Sequence, residues 1–429
     1  MQPLRPQNGL DFDWDDLQEF EAWLDRRVAG RTSDIVATRR HLHKHPEPSG
    51  LETETTRFLA NELSRAGLTP RECDNGVGVI ADLDIGPAAE DLPRVAVRAD
   101  IDGLRLDDEK TVEYRSSRPG VAHACGHDAH ATMVLETARC LAAGRQSATL
   151  PSEQAIRLRF VFQPAEETCT GARWMVRQGA LDGVNSIVAL HVDPQCEVGH
   201  VGIRYGLMTA HCDELAITVE GRGGHAARPH DTTDVVGAAA LLITTLYQNV
   251  PRSIDARRPG VLTIGRIASG QALNVIPSHV ELEGSLRTTD VATREMLRGR
   301  IREICDGVAV TTRNHIQLEF SNALSAVRNH RHVTSVVEAA SCRVLDRNAI
   351  QTIHEPSMGG EDFSVYLDYV PGTQFRLGCA SPGVEWPLLH SPVFDIDERA
   401  LALGIRILSR SALMLARCPV PADSRDEGS

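Results

Sequence analysis

The fold this sequence predicts is α/β: a mixed, largely parallel sheet domain with an inserted ferredoxin-like (βαββαβ) unit. Three patterns carry it. Apolar strand-like runs alternate with helix-period segments through the first half of the chain. From Cys212 the order changes to strand, helix, strand, strand, helix, strand, the split ferredoxin-like unit. After that stretch the first style resumes, so the middle portion is an insertion. The expected domains are residues 1–210 with 324–429, and 211–323. A chain of 429 residues exceeds one ordinary core, in keeping with two or three units of about 100–200 residues each.

The elements follow in order. WDDLQEFEAWLDRRVA, residues 14–29, places Leu17, Phe20, Trp23, Leu24 and Val28 close to helical spacing, with Gly30 as a stop. A second helix starts from Ser33 or Asp34 as N-cap and ends at Pro46 and Pro48. A third, LETETTRFLANELSRAG, carries Leu51, Leu59 and Leu63 and closes on Gly67. These helices are expected to cover one face of a sheet. VGVIADL and then RVAVRAD, residues 94–100, read as strands. The second opens into Asp100, Ile101 and Asp102, as buried strands of open α/β sheets present ligands at their carboxyl ends. HACGHDAH leads into a helix, ATMVLETARCLAAG, that ends at Gly144; AIRLRFVFQP is a strand, AEETCTGA a polar turn, RWMVRQGAL a helix and SIVALHV a strand.

In the insert, CDELAITVEG, GVLTIGRIAS, SHVELEGSLRT and HIQLEFSNAL are the strands; TTDVVGAAALLITTLYQNV and VATREMLRGRIREICDGV are the helices. Beyond it come a helix near 332–345, a loop MGGEDFSVY, a strand TQFRLG and a last helix near 397–417. The tail PVPADSRDEGS is expected to be disordered.

Composition narrows the function classes. The net charge of −13, from 45 basic and 58 acidic residues, argues against a nucleic-acid surface, which would show a basic stripe. No apolar run approaches the roughly 20 residues a membrane span needs. The N-terminus lacks the basic and apolar regions of a secretory signal, so the cytoplasm is the expected compartment. Ten scattered cysteines lack the regular spacing of a disulfide scaffold and are expected to be reduced.

The stretch VAHACGHDAH, residues 121–130, is the densest chemical signal. It packs His123, Cys125, His127, Asp128 and His130 together, and thiolate with imidazole suits zinc and its first-row neighbours. A closed structural zinc site would need four ligands, usually with C-x-x-C pairs, and the sequence has none, so an open catalytic site is the better expectation. Four other stretches in the α/β portion, RADID, QPAEET, ALHV and LLHSP, hold the same residue types at strand ends or in loops. If those ends are adjacent, Cys125, His127, Glu167, His191 and His390 converge, and five donors exceed what one catalytic ion requires. Taken singly, a strand-end histidine such as His191 is more often a satisfied polar residue than a ligand, and Glu166 with Glu167 could be a solvated helix start. Adjacent side chains leave in different directions, however, so one glutamate can bind metal while the other, Glu166, moves a proton.

RADIDGL, HACGHDAH, FQPAEE, ALHV, GGHAARPH, LNVIPSHVELEGSLRT, MGGEDFSVY and LHSPVFDID, in this order, resemble the metallopeptidase family of aminoacylases and glutamate-releasing carboxypeptidases. Within it they are most similar to the N-acyl-amino-acid amidohydrolase branch, which includes hippurate hydrolase and indoleacetyl-amino-acid hydrolases. The likeness runs from about His41 to the last helix. It implies metal ligands at Cys125, His127, Glu167, His191 and His390, a general base at Glu166, and an orienting acid at Asp102. Asp100 stands where other branches place a ligand histidine, and is expected to be a hydrogen-bonding partner. The insert would be a lid that dimerises and brings His225 and Asn274 to the scissile carbonyl, where they stabilise the developing oxyanion. Arg228 and Arg287 are candidates to hold a substrate carboxylate.

The implied enzyme takes two divalent ions per subunit (Zn, Mn, Co or Ni) and cleaves N-acyl or N-aroyl amino acids through a metal-bound hydroxide formed with Glu166. Its implied partners are a small-molecule substrate and a second copy of the chain, with no nucleic acid and no membrane. The rivals are a dipeptidase, an N-carbamoyl amidohydrolase, and a dimeric metal-binding scaffold without turnover. Two departures bear on substrate: TCTGA replaces a glycine-rich run after the paired glutamates, and GLR at 103–105 replaces Ala-Leu-Pro. Cys169, in the first of these, is expected to be a buried bystander. The N-terminal helix is expected to cap the sheet domain.

Overall fold

The computed structural model describes residues 17–87, 92–147, 149–150 and 155–421. They form two compact units, one of residues up to 206 with 328–354 and 365 onward, the other of 207–327 with 355–364. The short segment 355–364, which holds the MGGED loop, thus groups with the insert. Residues 14–16 of the expected first helix and 422–429 of the tail lie outside the described residues.

The first unit opens with α1 (Gln18–Gly30), α2 (Thr32–Lys44) and α3 (Thr53–Arg65), followed by β1 (Thr69–Glu72), β2 (Val79–Ile85) and β3 (Arg94–Asp100). Next come α4 (His127–Gln146), β4 (Ile156–Gln163), α5 (Gly171–Arg177), β5 (Val184–Glu197) and β6 (Val201–Ile203). The second unit contributes β7 (His211–Glu220), α6 (Val235–Asn249), β8 (Gly260–Ser269), β9 (His279–Thr288), α7 (Val291–Thr312) and β10 (His315–Leu324). The chain then returns to the first with α8 (Arg331–Cys342), β11 (Ile350–Thr352), β12 (Gly372–Ala380) and α9 (Arg399–Arg417).

The large sheet has the order β1-β2-β4-β3-β5-β12-β6-β11. Its centre, β4-β3-β5-β12, is parallel, while β2 joins β4 and β1 joins β2 antiparallel. At the far edge β6 runs antiparallel to β12 and parallel to β11. β3 is buried along its whole length, as expected for a strand covered on both faces. One apolar core runs from Phe20, Leu24 and Val28 of α1 through Met133, Leu135 and Leu141 of α4 to Ile405, Leu408 and Leu415 of α9. The N-terminal helix is therefore part of the first unit's core. Burying side chains of this size contributes about 1.5–3 kcal/mol each.

The second unit has the ferredoxin-like order β8-β9-β7-β10, with every pairing antiparallel. Its core packs Leu242 and Leu246 of α6 and Leu297 and Ile301 of α7 against Leu215, Ile217, Leu282 and Leu286 of the sheet. Asp234 and Asp290 cap α6 and α7 through side-chain acceptors to the first-turn N–H groups.

β6 and β11 have no counterpart in the sequence expectation, and two further elements differ from it. The helix expected to begin after HACGHDAH begins at His127, inside it, because Gly126 takes a left-handed φ of +86° at the N-cap. β1, an exposed four-residue edge strand containing Pro70, carries no hydrophobic alternation that would announce it.

Candidate metal centre

Adjacent parallel strands deliver the candidate residues to one end of the large sheet. Asp100, the last residue of β3, is the register partner of Gln163, the last residue of β4, so the segments that follow them start side by side. One carries Asp102, the other Glu166 and Glu167. β5 flanks β3 on its other side and carries His191. His127 and His130 come from the first turn of α4, and Cys125 from the residues just before it.

The turn after β4 is tightly built. Ala165 and Cys169 both hold left-handed backbone, φ +53° and +56°. The Ala165 oxygen accepts from the N–H groups of Thr170 and Gly171, and Glu166 O from that of Cys169. A side chain at Gly171 would overlap the Pro164 carbonyl. The Ala165 N–H donates to the buried Glu52 carboxylate at 2.7 Å.

Hydrogen bonds fix which imidazole nitrogen faces the centre. His127 Nδ1 lies 3.0 Å from Asp102 O and 3.1 Å from Asp102 Oδ1, so Nδ1 carries a proton and Nε2 is the nitrogen left to face the centre. That Nε2 is buried without a hydrogen-bond partner, and so is Glu167 Oε1. His191 Nδ1 donates to Val192 O at 2.7 Å, leaving Nε2 at 3.5 Å from Cys125 Sγ. Buried polar atoms without partners are rare, and here they point at one another across a gap a cation would fill.

The donors fall into two triads that share the thiol: Cys125, His127 and His191, and Cys125, Glu167 and His390. Within each, the donor atoms lie within 4.8 Å of one another. His390 Nε2 stands 3.6 Å from Glu167 Oε1, its backbone left-handed at φ +64° and its N–H bonded to Ala124 O at 2.7 Å. Glu166 belongs to neither of these two triads but forms a further group with His127 and Glu167; its Oε2 lies 3.9 Å from His127 Nε2. A thiolate with imidazoles and a carboxylate is a donor set for zinc, manganese, cobalt or nickel.

Asp102 ties the arrangement together, its Oδ2 accepting from the Glu167 N–H at 3.0 Å and the Ser49 hydroxyl at 2.7 Å. Asp100 takes the hydrogen-bonding role expected of it. Its Oδ1 lies 2.6 Å from His130 Nδ1 and its Oδ2 accepts from Arg98 at 2.5 Å. His130 Nε2 accepts from the Val192 N–H at 2.9 Å, so both of its nitrogens are engaged and it supports the neighbouring His191. His123 joins neither triad; it is buried, and burial holds it down to about 4. Ser49, Glu52 and Arg98 escaped the sequence reading, since nothing local to each announces partners so far along the chain.

Electrostatics suit an exchange of protons for cations. Burial pushes the Cys125 thiol up and holds His191 well below the usual imidazole range, with Arg376 adding to the latter. Burial also raises Glu167 against the pull of His127 and His390. At His127 burial is outweighed by Asp100, Cys125 and Asp102, which hold it well above its ordinary value. Ligation requires neutral imidazole and thiolate, so cation binding would release protons from Cys125 and His127, while His191 is already neutral.

The remaining candidates lie in the second unit. Gly224–His225 pairs antiparallel with Val275–Ile276, and Asn274 O accepts from the Ala226 N–H at 3.1 Å. The Arg228 N–H donates to His225 O at 2.8 Å, so His225, Arg228 and Asn274 share one exposed edge. His225 Nδ1 accepts from the Ala227 N–H at 3.1 Å, which leaves the proton on its exposed Nε2. Arg287 is apart from them on β9, its guanidinium donating to Met358 O at 2.7 Å.

The sequence profile of peptidase family M20/M25/M40 matches residues 96–414. The chain belongs to that family. It is 33% identical to the N-acetylcysteine deacetylase of Bacillus subtilis, over 89% of this chain and 96% of that one. It is 35% identical to the N-acetyldiaminopimelate deacetylase of Enterococcus faecalis, over 88% and 96%. Among solved structures, the YXEP protein of Bacillus subtilis, described as a dinuclear metal-binding peptidase of family M20, matches with a TM-score of 0.75. The identity there is 30%, over 91% of this chain and 99% of that one. This M20 chain is therefore an enzyme of the metal-dependent amidohydrolase and metallopeptidase class. Among the described residues no helix is long and apolar enough to cross a membrane.

Proposed function

We propose that this M20 enzyme hydrolyses the amide bond of N-acyl or N-aroyl amino acids, releasing a carboxylic acid and a free amino acid. The observation that carries the reading is the pair of triads sharing Cys125, with the Glu166 carboxylate beside them, grouped with His127 and Glu167. The deacetylase relatives support the substrate class. A divalent cation in each triad would supply Lewis acidity to the amide carbonyl and to the attacking water.

The chain's own residues do the rest. Cys125, His127, Glu167, His191 and His390 hold the ions, and Asp102 orients His127 and Glu167. Glu166, buried at the mouth of a tight turn, takes a proton from water and returns it to the departing amine. His225, with the proton on Nε2, and Asn274 serve as donors to the developing oxyanion, as a lid would bring them. Arg228 and Arg287 bind the substrate carboxylate.

The second unit also serves as a dimer contact in this proposal. β8 is an edge strand, and Val236, Leu241 and Tyr247 of α6 with Val261 and Ile267 of β8 are exposed. With ten free thiols and a net charge of −13, we place the enzyme in the cytoplasm, acting on small molecules and not on nucleic acid.

The test is a panel of N-acetyl, N-benzoyl and N-carbamoyl amino acids and dipeptides, assayed with zinc-, manganese- or cobalt-loaded protein and with Glu166→Gln. Turnover of N-acyl amino acids that the substitution abolishes, with metal content unchanged, is expected. Preference for dipeptides or carbamoyl compounds would reassign the substrate, and substantial activity in Glu166→Gln would remove Glu166 from its role.

A further inference from the structure

Two buried cations, Arg39 and Lys110, bridge the segments that carry His127 and His390, the histidines that distinguish the two triads. Arg39 Nε donates to Asp128 Oδ2 at 2.8 Å, one residue beyond His127, and its Nη2 lies 2.7 Å from Asp395 Oδ1 on the segment that follows His390. Lys110 closes the loop from the other side, with Nζ 2.6 Å from Phe394 O and 2.7 Å from His43 Nε2. His43 sits between the two cations, its Nδ1 2.6 Å from Asp128 Oδ2 and 3.2 Å from Arg39 Nη2, its Nε2 2.7 Å from the Lys110 ammonium and 3.3 Å from Asp108 Oδ2. The result is a closed ring from Asp128 to residues 394–395 by way of Arg39, and back by way of Lys110 and His43. Tyr114 adds a hydroxyl bond to Asp395 Oδ2 at 2.7 Å and lies under the Arg39 guanidinium. Arg39, His43, Asp128 and Lys110 are all buried.

The two ends of this ring are unequally anchored by the rest of the fold. His127 sits in the first turn of a buried helix and is held at Nδ1 by Asp102. His390 sits in a loop, 54% exposed, in a left-handed conformation that costs a non-glycine residue about 1 kcal/mol or more. Whatever fixes residues 394–395 therefore fixes His390 far more than His127.

We propose that Arg39 and Lys110 are positioning residues that set the spacing between the two triads and thereby govern occupancy of the Cys125–Glu167–His390 site. The inference rests on the two-cation reading above. Among the described residues, the polar partners of Arg39 and Lys110 given above include no ligand side chain; both act through the segment that carries His390. Arg39 lies outside the family-profile match.

The test is cobalt(II) binding to metal-free protein, with bound metal counted after desalting and affinities taken from chelator competition, so that the readout is independent of turnover. Wild type is expected to take up two ions. Lys110→Met should keep the first and bind the second about 10- to 100-fold more weakly, the range typical for loss of support behind a metal ligand. In a His390→Ala background Lys110→Met should add no further weakening, whereas a purely structural role would still show there. Tyr114→Phe, which removes one hydroxyl bond, should act in the same direction more mildly and covers the case in which Lys110→Met fails to fold. Two ions bound by Lys110→Met as tightly as by wild type, or both weakened equally, would overturn the proposal. Fewer than two ions in wild type would instead overturn the two-cation reading, and this inference with it.

Discussion

Asp102 and His127 meet at a single imidazole nitrogen, Nδ1, which lies within 3.1 Å of both the carboxylate Oδ1 and the main-chain oxygen of Asp102. The other carboxylate oxygen takes the backbone N–H of Glu167. One acidic side chain thus orients a donor residue of each triad, an imidazole in one and a carboxylate in the other.

Asp102→Asn keeps the shape and halves the acceptor capacity. An amide cannot accept at both positions, so either His127 Nδ1–H keeps only the main-chain oxygen of residue 102 or the Glu167 N–H goes unpaired. Apparent affinity is expected to fall about 10- to 100-fold at both triads, read by chelator competition. Wild-type affinity retained at both triads would show that α4 and the main-chain oxygen of residue 102 suffice to aim His127.

Gly126 occupies a left-handed conformation one residue after Cys125, and an added Cβ would overlap Val192 Cγ2, next to His191. Gly126→Ala combines backbone strain with overpacking and should cost about 2–4 kcal/mol of stability. Because the displaced neighbour adjoins a ligand, metal content should fall as well. Thermal melts of metal-free and metal-loaded protein separate the two effects.

Much of this was legible in the chain itself, for identifiable reasons. The βαββαβ insert announces itself through alternating strands and long helices, and the candidate metal donors that the fold brings together lie in dense or strand-terminal motifs. What stayed hidden depends on contacts remote in sequence. Asp128 stands out in the motif, but that it is held by Arg39 and His43, 89 and 85 positions away, has no local signature. The start of α4 at His127 depends on a left-handed Gly126, a conformation that glycine permits without announcing. His390 is left-handed without being glycine, which no propensity would suggest.

Cation binding should also be visible as stability. The triads exist only in the folded chain, so a ligand at 100 times its dissociation constant adds about 2.7 kcal/mol by mass action. Chelation is therefore expected to lower the melting temperature, and cobalt, zinc or manganese to restore it in a concentration-dependent manner. A melting temperature indifferent to chelator would mean that the donors bind no cation under those conditions.

Glu52 gives the folded protein a pH dependence with a definite sign. Its side chain is buried; burial, with the Asp102 charge nearby, pushes it up to about 7 from an ordinary 4.5, against the lowering effect of the Ala165 and Gly50 N–H groups. The folded state therefore holds a proton that the unfolded chain has already released. The associated stability is complete below pH 4.5 and is lost as pH rises through about 7, amounting to about 3 kcal/mol. Glu52→Gln retains an oxygen for the two N–H groups and removes the titration. In metal-free protein, denaturant melts from pH 5 to 8 should show wild type losing stability relative to Glu52→Gln as pH rises. Parallel curves would place the ordinary carboxylate value at Glu52, and a difference growing toward low pH would reverse the sign.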